Sequence, residues 1–470
     1  MVLQQKSNVV LWGWANAGEK ISISNSWNGK VVTTSADTKG NWKLTLQTGQ
    51  AGGPYEIAIK GENTITVHDV LLGEVWLCSG QSNMEFPLGK QQGWRTGVFD
   101  YEKEVAAANE QLMRLFTVKQ AVANEPLDDV SGEWEHCTPE TAAKFSAVAY
   151  YFAKQLIHKT GFPVGLIHSS WGGTPAESWT RKETLESDAD FKPILERYAD
   201  EIRNYPQLLR NYDSAAARKD ATTTLKKPVN PERNSKSPSK LYNAMIHPLI
   251  PFTIKGVIWY QGESNSGRAY QYRKLFPAMI KSWREEWGTD LPFYFVQIAP
   301  EYQQNAEIRE AQLLTYRTVP NTGMAVITDA GDSLNVHPRN KQIVGERLAA
   351  WALAKNYGFK IADYSSPFYK SMQVLNDSVI IQFDFAENGF EVKEGISKAF
   401  TIAGADKQFV PADIRIDGNR IIVWSKDLHQ PVAVRFDWRN FFRTSLFSRE
   451  GLPVSPFRTD DWPGETWNKN

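Results

Sequence analysis

Five apolar runs, at 74–79, 163–169, 254–260, 292–298 and 323–328, punctuate the middle of this 470-residue chain, with helical patterns between them. None of the five alternates strictly between apolar and polar residues, as expected of strands covered on both faces. Phe145, Val148, Phe152 and Leu156 mark one apolar helix face, in a segment that stops at Gly161 before Pro163. Tyr272 to Trp287 and Arg339 to Ala354 read as further helices. Strands that alternate with helices build a parallel sheet with helices packed on each side, an α/β fold of three layers.

The flanks have a different rhythm. Residues 1–70 carry short runs such as Val9–Trp14, Lys20–Ser24, Trp42–Leu46 and Tyr55–Ile59, separated by turn signals such as Asn28-Gly29. This predicts a small β-sandwich. Short β-runs return in 363–470, among them Val379–Phe383, Ala399–Ala403, Ile421–Trp424 and Val432–Phe436, and predict a C-terminal β module. The α/β domain then spans 71–362. Within it the charged stretch from about 186 to 238 reads as a helical insertion, starting at Phe191 to Tyr205, followed by a mobile loop near the site.

Lysine plus arginine and aspartate plus glutamate balance at 53 each, so there is no basic field to recruit nucleic acid or an acidic membrane. No apolar run approaches the ~18 residues that span a bilayer. Residues 1–15 read as strand and turn rather than as a signal peptide. Seventeen tryptophans suit either a large core or sugar-stacking surfaces, and the core reading leads. Cys78 and Cys137, the two cysteines, give no metal spacing; whether they pair is left open.

A serine just past the carboxyl end of a strand sits where α/β sheets bind ligands. Ser82, in Gly80-Gln-Ser-Asn-Met84 after Glu74–Cys78, is the best nucleophile candidate. A hydroxyl needs a base. Among the seven histidines, His68, His136, His158 and His429 sit in stretches of other character, His247 in a packing segment, and His168 ahead of a glycine loop. His337, in the loop after the last parallel strand, is the candidate base. An oxyanion needs preorganised donors. Gly172-Gly173 after the second strand and Gln261 after the third can supply them. The nucleophile-elbow pattern G-x-S-x-G fails because position 84 is Met.

Four motifs, Gly-Gln-Ser-Asn-Met-Glu at 80–85, Ser-Trp-Gly-Gly-Thr-Pro at 170–175, Trp-Tyr-Gln-Gly-Glu-Ser-Asn at 259–265 and Val-His-Pro-Arg-Asn-Lys at 336–341, resemble the sialate O-acetylesterase family. That family belongs to the SGNH-type hydrolases, and the likeness runs over most of the chain. The resemblance implies Ser82 as nucleophile and first oxyanion donor, Gly172 or Gly173 as second, Gln261 as third and His337 as base. It implies no cofactor and no metal. It also implies an exported protein, periplasmic or secreted, because the opening Met-Val-Leu-Gln is normally internal in that family.

One position departs from the pattern. Where the superfamily places an aspartate three residues before the base, this chain has Leu334; where related esterases place it two before, this chain has Asn335. Losing such an acid costs ~10⁴ in rate in a serine protease. Asn335, Asp332, a backbone carbonyl or Glu263 are the candidate groups to orient His337. A sialate carboxylate would suit an arginine, with Arg339 and Arg458 as candidates, and Glu263 is a further candidate substrate contact.

The leading expectation is a serine esterase acting on an acetylated glycan, foremost sialic acid. An acetyl xylan esterase with the same machinery is the alternative. From another class, a non-catalytic carbohydrate-binding protein stays open, and a metal-dependent deacetylase finds no ligand spacing. Oligomeric state is not legible.

Overall fold

A computed structural model describes residues 1–217, 226–396 and 399–469. Six parallel strands form the centre, in the order Thr322–Val326, Phe293–Gln297, Gly256–Tyr260, Thr64–Gly80, Val164–Ser170, Glu110–Thr117, and Trp134–Cys137 adds an antiparallel edge. The five expected strands are all present. Helices Ala147–Thr160, Ala269–Trp287, Ala306–Thr318 and Lys341–Asn356 cover the sheet, completing the α/β architecture. Gly161 ends the first of them in a left-handed conformation, its N–H donating to Ile157 O. Trp76, Trp179, Trp259, Trp283 and Trp351 are fully buried, so much of the tryptophan content is core.

The strand Thr64–Gly80 belongs to two sheets. Its first half pairs antiparallel with Gly52–Lys60 in the N-terminal β unit, and its second half is the central strand of the parallel sheet. It bends at Asp69, whose φ is 53°. Asp69 accepts three bonds from the Arg114 guanidinium there, at 2.9, 3.0 and 3.1 Å. The expected boundary at 70/71 therefore falls inside one continuous strand. The N-terminal unit has its own core, including Leu3, Val9, Ile23, Leu46 and Val70.

The helical insertion is longer than the sequence indicated. It runs Lys192–Ala217 and carries Pro206 within it. The loop expected next includes 218–225, outside the described residues.

The C-terminal strands form two four-stranded sheets and a two-stranded one, and their apolar residues share a core with the α/β domain. Polar clasps add to this: Gln297 donates to Ser455 Oγ at 2.9 Å, and Arg458 donates to Glu310 at 2.6 Å. Cys78 and Cys137 are free buried thiols, and burial pushes Cys137 up to about 11.

Candidate active site

The carboxyl ends of three adjacent strands converge. Gly80 ends the central strand at φ 138°, and a Cβ there would meet Tyr260 O at 2.2 Å. Glycine thus lets two strand ends close on one another. Ser82 opens the short helix Ser82–Glu85 and is buried. The first-turn N–H groups of a helix have no acceptor inside it, which leaves the Ser82 N–H free to donate.

The loop after Thr322–Val326 crosses back to this edge and brings His337 Nε2 to 2.8 Å from Ser82 Oγ. Burial, then the nearby Lys341, depresses the His337 imidazole to about 4. It is therefore neutral near pH 7. With Nε2 accepting the serine proton, the ring proton sits on Nδ1.

Of the four candidate orienting groups, Asp332 and Asn335 bond elsewhere, and Glu263 Oε1 accepts from Asn83. Asp332 accepts from the Leu334 N–H and Asn335 Oδ1 from the His337 backbone N–H, both at 2.9 Å. Short side chains of this kind bond first to backbone two residues on, and here that local bond wins. Among the described residues no protein group accepts from His337 Nδ1. The ring is held instead by Trp94, stacked on it with centroids 4.4 Å apart at 24°.

Asn83, next to the serine, ties the two loops together. Its Nδ2 donates to Val336 O at 2.9 Å and to Glu263 Oε1 at 2.6 Å, and its Oδ1 accepts from Lys341 Nζ. Ser82 and Asn83 thus meet His337 and Val336 rung by rung. A flipped amide would set its NH₂ against the ammonium, so the three partners fix its orientation. Lys341 is fully buried and lies 4.9 and 5.0 Å from the Phe86 and Tyr260 ring centroids. Burial lowers it to about 7 and raises Glu263. Glu263 is therefore a support beneath the site as well as part of its wall.

The oxyanion candidates separate. The Gly172 N–H is taken by Glu85 Oε2 at 2.6 Å. Gln261 is fully buried and faces away: its amide donates to Asn265 Oδ1 at 2.7 Å and to Thr174 O at 3.3 Å, and accepts from Tyr272 Oη. Two side-chain partners and a backbone carbonyl draw it under the sheet edge. Gly173, at φ 73°, keeps an N–H with no acceptor among the described residues.

The arginines predicted to meet substrate are elsewhere. Arg339 donates to Gly97 O and Val98 O and lies 5.0 Å from the Phe99 ring centroid. Arg458 is buried against Glu310 and Asp460. Carboxylates and carbonyls inside the fold have claimed both guanidinium groups.

Ser82 and His337 open into a cavity of about 500 Å³. Its wall includes Glu263, Gly172 and Gly173, together with residues the sequence reading passed over: Trp94, Arg95, Gln120, Trp171, Lys236 and Gln304. Arg95 pairs with Glu85. Lys236 comes from the insertion, is exposed, and has no carboxylate partner among the described residues. Among the described residues no cluster of metal-ligating side chains is found, and no helix is long and apolar enough to cross a membrane.

The family model for carbohydrate esterases of the sialic acid-specific acetylesterase type matches residues 72–216 and 223–354. The chain belongs to this family. Sialate O-acetylesterase of Rattus norvegicus is 31% identical over 97% of this chain and 92% of its own length. The human sialate O-acetylesterase is 30% identical over 100% of this chain and 93% of its own. The crystal structure of a carbohydrate acetylesterase from Xanthomonas citri superimposes with a TM-score of 0.83 at 38% identity, covering 98% of this chain and 97% of that one. The acetylesterase family resemblance carried by the four motifs is thereby established, and with it an SGNH-type fold and a carboxylic ester hydrolase. Carbohydrate O-deacetylation is the reaction of this acetylesterase class.

Proposed function

We propose that this chain removes O-acetyl groups from sialic acids through an acetyl-Ser82 intermediate. The observation that carries the mechanism is the 2.8 Å contact between His337 Nε2 and Ser82 Oγ at the base of the cavity. It lies within the reach a nucleophile and its base require. His337 takes the serine proton as Oγ attacks the acetyl carbonyl carbon. The N–H groups of Ser82 and Gly173 receive the oxyanion. His337 then returns the proton to the departing sugar oxygen, leaving acetyl-Ser82. Water, activated by the same imidazole, releases acetate and restores the hydroxyl.

The site works as a dyad. Among the described residues no carboxylate steadies the imidazolium, and the Trp94 face is the group positioned to do so, since an aromatic face attracts a cation. For an acidic sugar, the exposed Lys236 at the cavity wall offers a point charge to the substrate carboxylate. Export to the periplasm or the outside of the cell is part of this proposal and rests on the relatives' family alone.

The test is turnover of O-acetylated sialic acid and of p-nitrophenyl acetate by wild type and Ser82→Ala. Loss of both activities in the variant is expected. Undiminished turnover in Ser82→Ala would end the serine mechanism. Faster cleavage of acetylated xylan than of acetylsialate by wild type would end the sialate assignment.

A further inference from the structure

A second cavity, of about 1140 Å³, lies apart from the catalytic one. It is a cleft along the seam between the N-terminal β unit and the α/β domain. One wall is the outward face of the strand Asn8–Trp14, which presents Asn8, Val10, Trp12 and Trp14 at every second residue. Its antiparallel neighbour adds Asn41 and Lys43, opposite Trp14 and Trp12 respectively. The other wall comes from the α/β domain and includes Trp287, whose indole N–H donates to Phe252 O at 3.1 Å. Trp12 rests edge-on against Phe252, at 6.4 Å between centroids.

From this arrangement we infer a second carbohydrate-binding site, for a neutral oligosaccharide. Three observations support that occupant. Trp14 is 56% exposed, and it lies on the same strand face as Trp12, about 6.7 Å further along. Aromatic faces at that spacing match the apolar faces of successive sugar rings, and such surface is otherwise left in water. Amide and charged side chains stand beside the rings, where equatorial hydroxyls need partners. The charges cancel: Lys6, Lys43 and Lys255 line the cleft with Asp37, Asp128 and Glu286. A field of that kind suits an uncharged chain and gives no attraction to an acidic one.

Position sets what the site can do. Ile254, Lys255, Leu291 and Pro292 line it, and they precede the strands Gly256–Tyr260 and Phe293–Gln297. The cleft therefore lies at the amino edge of the sheet and Ser82 at the carboxyl edge, roughly 17 Å apart along a five-residue strand. The sugar held in the seam is not the one being deacetylated. The cleft anchors the enzyme to a glycan while Ser82 works on another residue or another chain. This holds whichever acetyl ester Ser82 cleaves.

Native affinity electrophoresis of the full chain in gels containing xylan, glucomannan or hydroxyethyl cellulose tests it, with Trp14→Ala and Asn41→Ala beside wild type. The expected result is retardation of wild type by at least one of these, weakened about tenfold or more in Trp14→Ala. Turnover of p-nitrophenyl acetate should stay unchanged in both variants, which also reports that they fold. No retardation on any neutral glycan overturns the inference, as does retardation that both variants keep. A wild-type dimer in sedimentation that Trp14→Ala dissociates also overturns it, because a second copy then fills the cleft.

Discussion

Replacing Asn83 by alanine removes three hydrogen bonds at once beside the nucleophile, which tie its loop to the histidine loop, to the loop after Gly256–Tyr260 and to the helix Lys341–Asn356. Two of them end on the buried ionisable groups Glu263 and Lys341, and one ends on the Val336 carbonyl. Bonds to charged groups contribute about 1.5–3 kcal/mol each and a neutral one about 1 kcal/mol, so the loss is roughly 4–7 kcal/mol. That approaches the whole stability of many folds, about 5–15 kcal/mol. Urea unfolding followed by circular dichroism should therefore show a large drop in midpoint. Adding Lys341→Met to Asn83→Ala removes one of the stranded groups. The double variant should be more stable than the sum of the singles by about 0.5–3 kcal/mol, as for residues in one network. Catalysis should suffer separately. Freed from Asn83, Val336 and His337 drift relative to Ser82, and a displacement near 1 Å costs on the order of 10² in rate. In the fraction that stays folded, kcat for p-nitrophenyl acetate should fall by about that factor, with KM little moved. A folded Asn83→Ala enzyme with kcat within twofold of wild type would refute the clamp. Additive stabilities in the double variant would refute the network.

With the His337 imidazole at about 4, the acid limb of kcat/KM should lie near pH 4, and a limb near 6.5 would contradict that burial. His168 is also held neutral, at about 4 by burial. Between about pH 4 and 6.5 the unfolded chain binds more protons than the folded one, so stability, read as thermal midpoint, should fall as pH drops through that window. Lys236→Ala should raise KM for acetylsialate several-fold, with kcat for p-nitrophenyl acetate unchanged; equal KM values would remove Lys236 from the site. Arg458→Ala, which breaks a buried ion pair with Glu310, should cost about 3–5 kcal/mol in unfolding assays without changing KM.

The parallel strands were legible because each is a continuous apolar run, and the helices between them kept one apolar face. The strand Glu110–Thr117 was not, since only Met113, Arg114 and Leu115 along it are buried and the residues at its ends are polar. Ser82 and His337 could be placed at the same sheet edge from strand order alone. The direction of a side chain could not. Gln261 lies in the expected loop yet points beneath it, and Arg339 turns to backbone carbonyls of a loop that is distant in sequence. Asn335 and Asp332 were misjudged for a local reason, their preference for backbone N–H groups two residues on. Lys341 left a faint signal, as a charged residue ahead of the apolar helix positions Val344, Leu348 and Trp351. What it touches depends on chain crossings that only the fold supplies.

The strand Thr64–Gly80 limits how this architecture can be divided. At about 3.3 Å per residue its 17 residues measure roughly 56 Å along the chain, from the N-terminal β unit to the doorstep of the nucleophile. Modular enzymes usually recombine through exposed linkers. Here no such linker separates the first unit from the second. A cut at 70/71 would sever this strand and part Glu74–Gly80, the middle member of the parallel sheet, from the half that pairs with Gly52–Lys60. The auxiliary unit and the catalytic serine are therefore a single heritable piece, exchanged together or not at all.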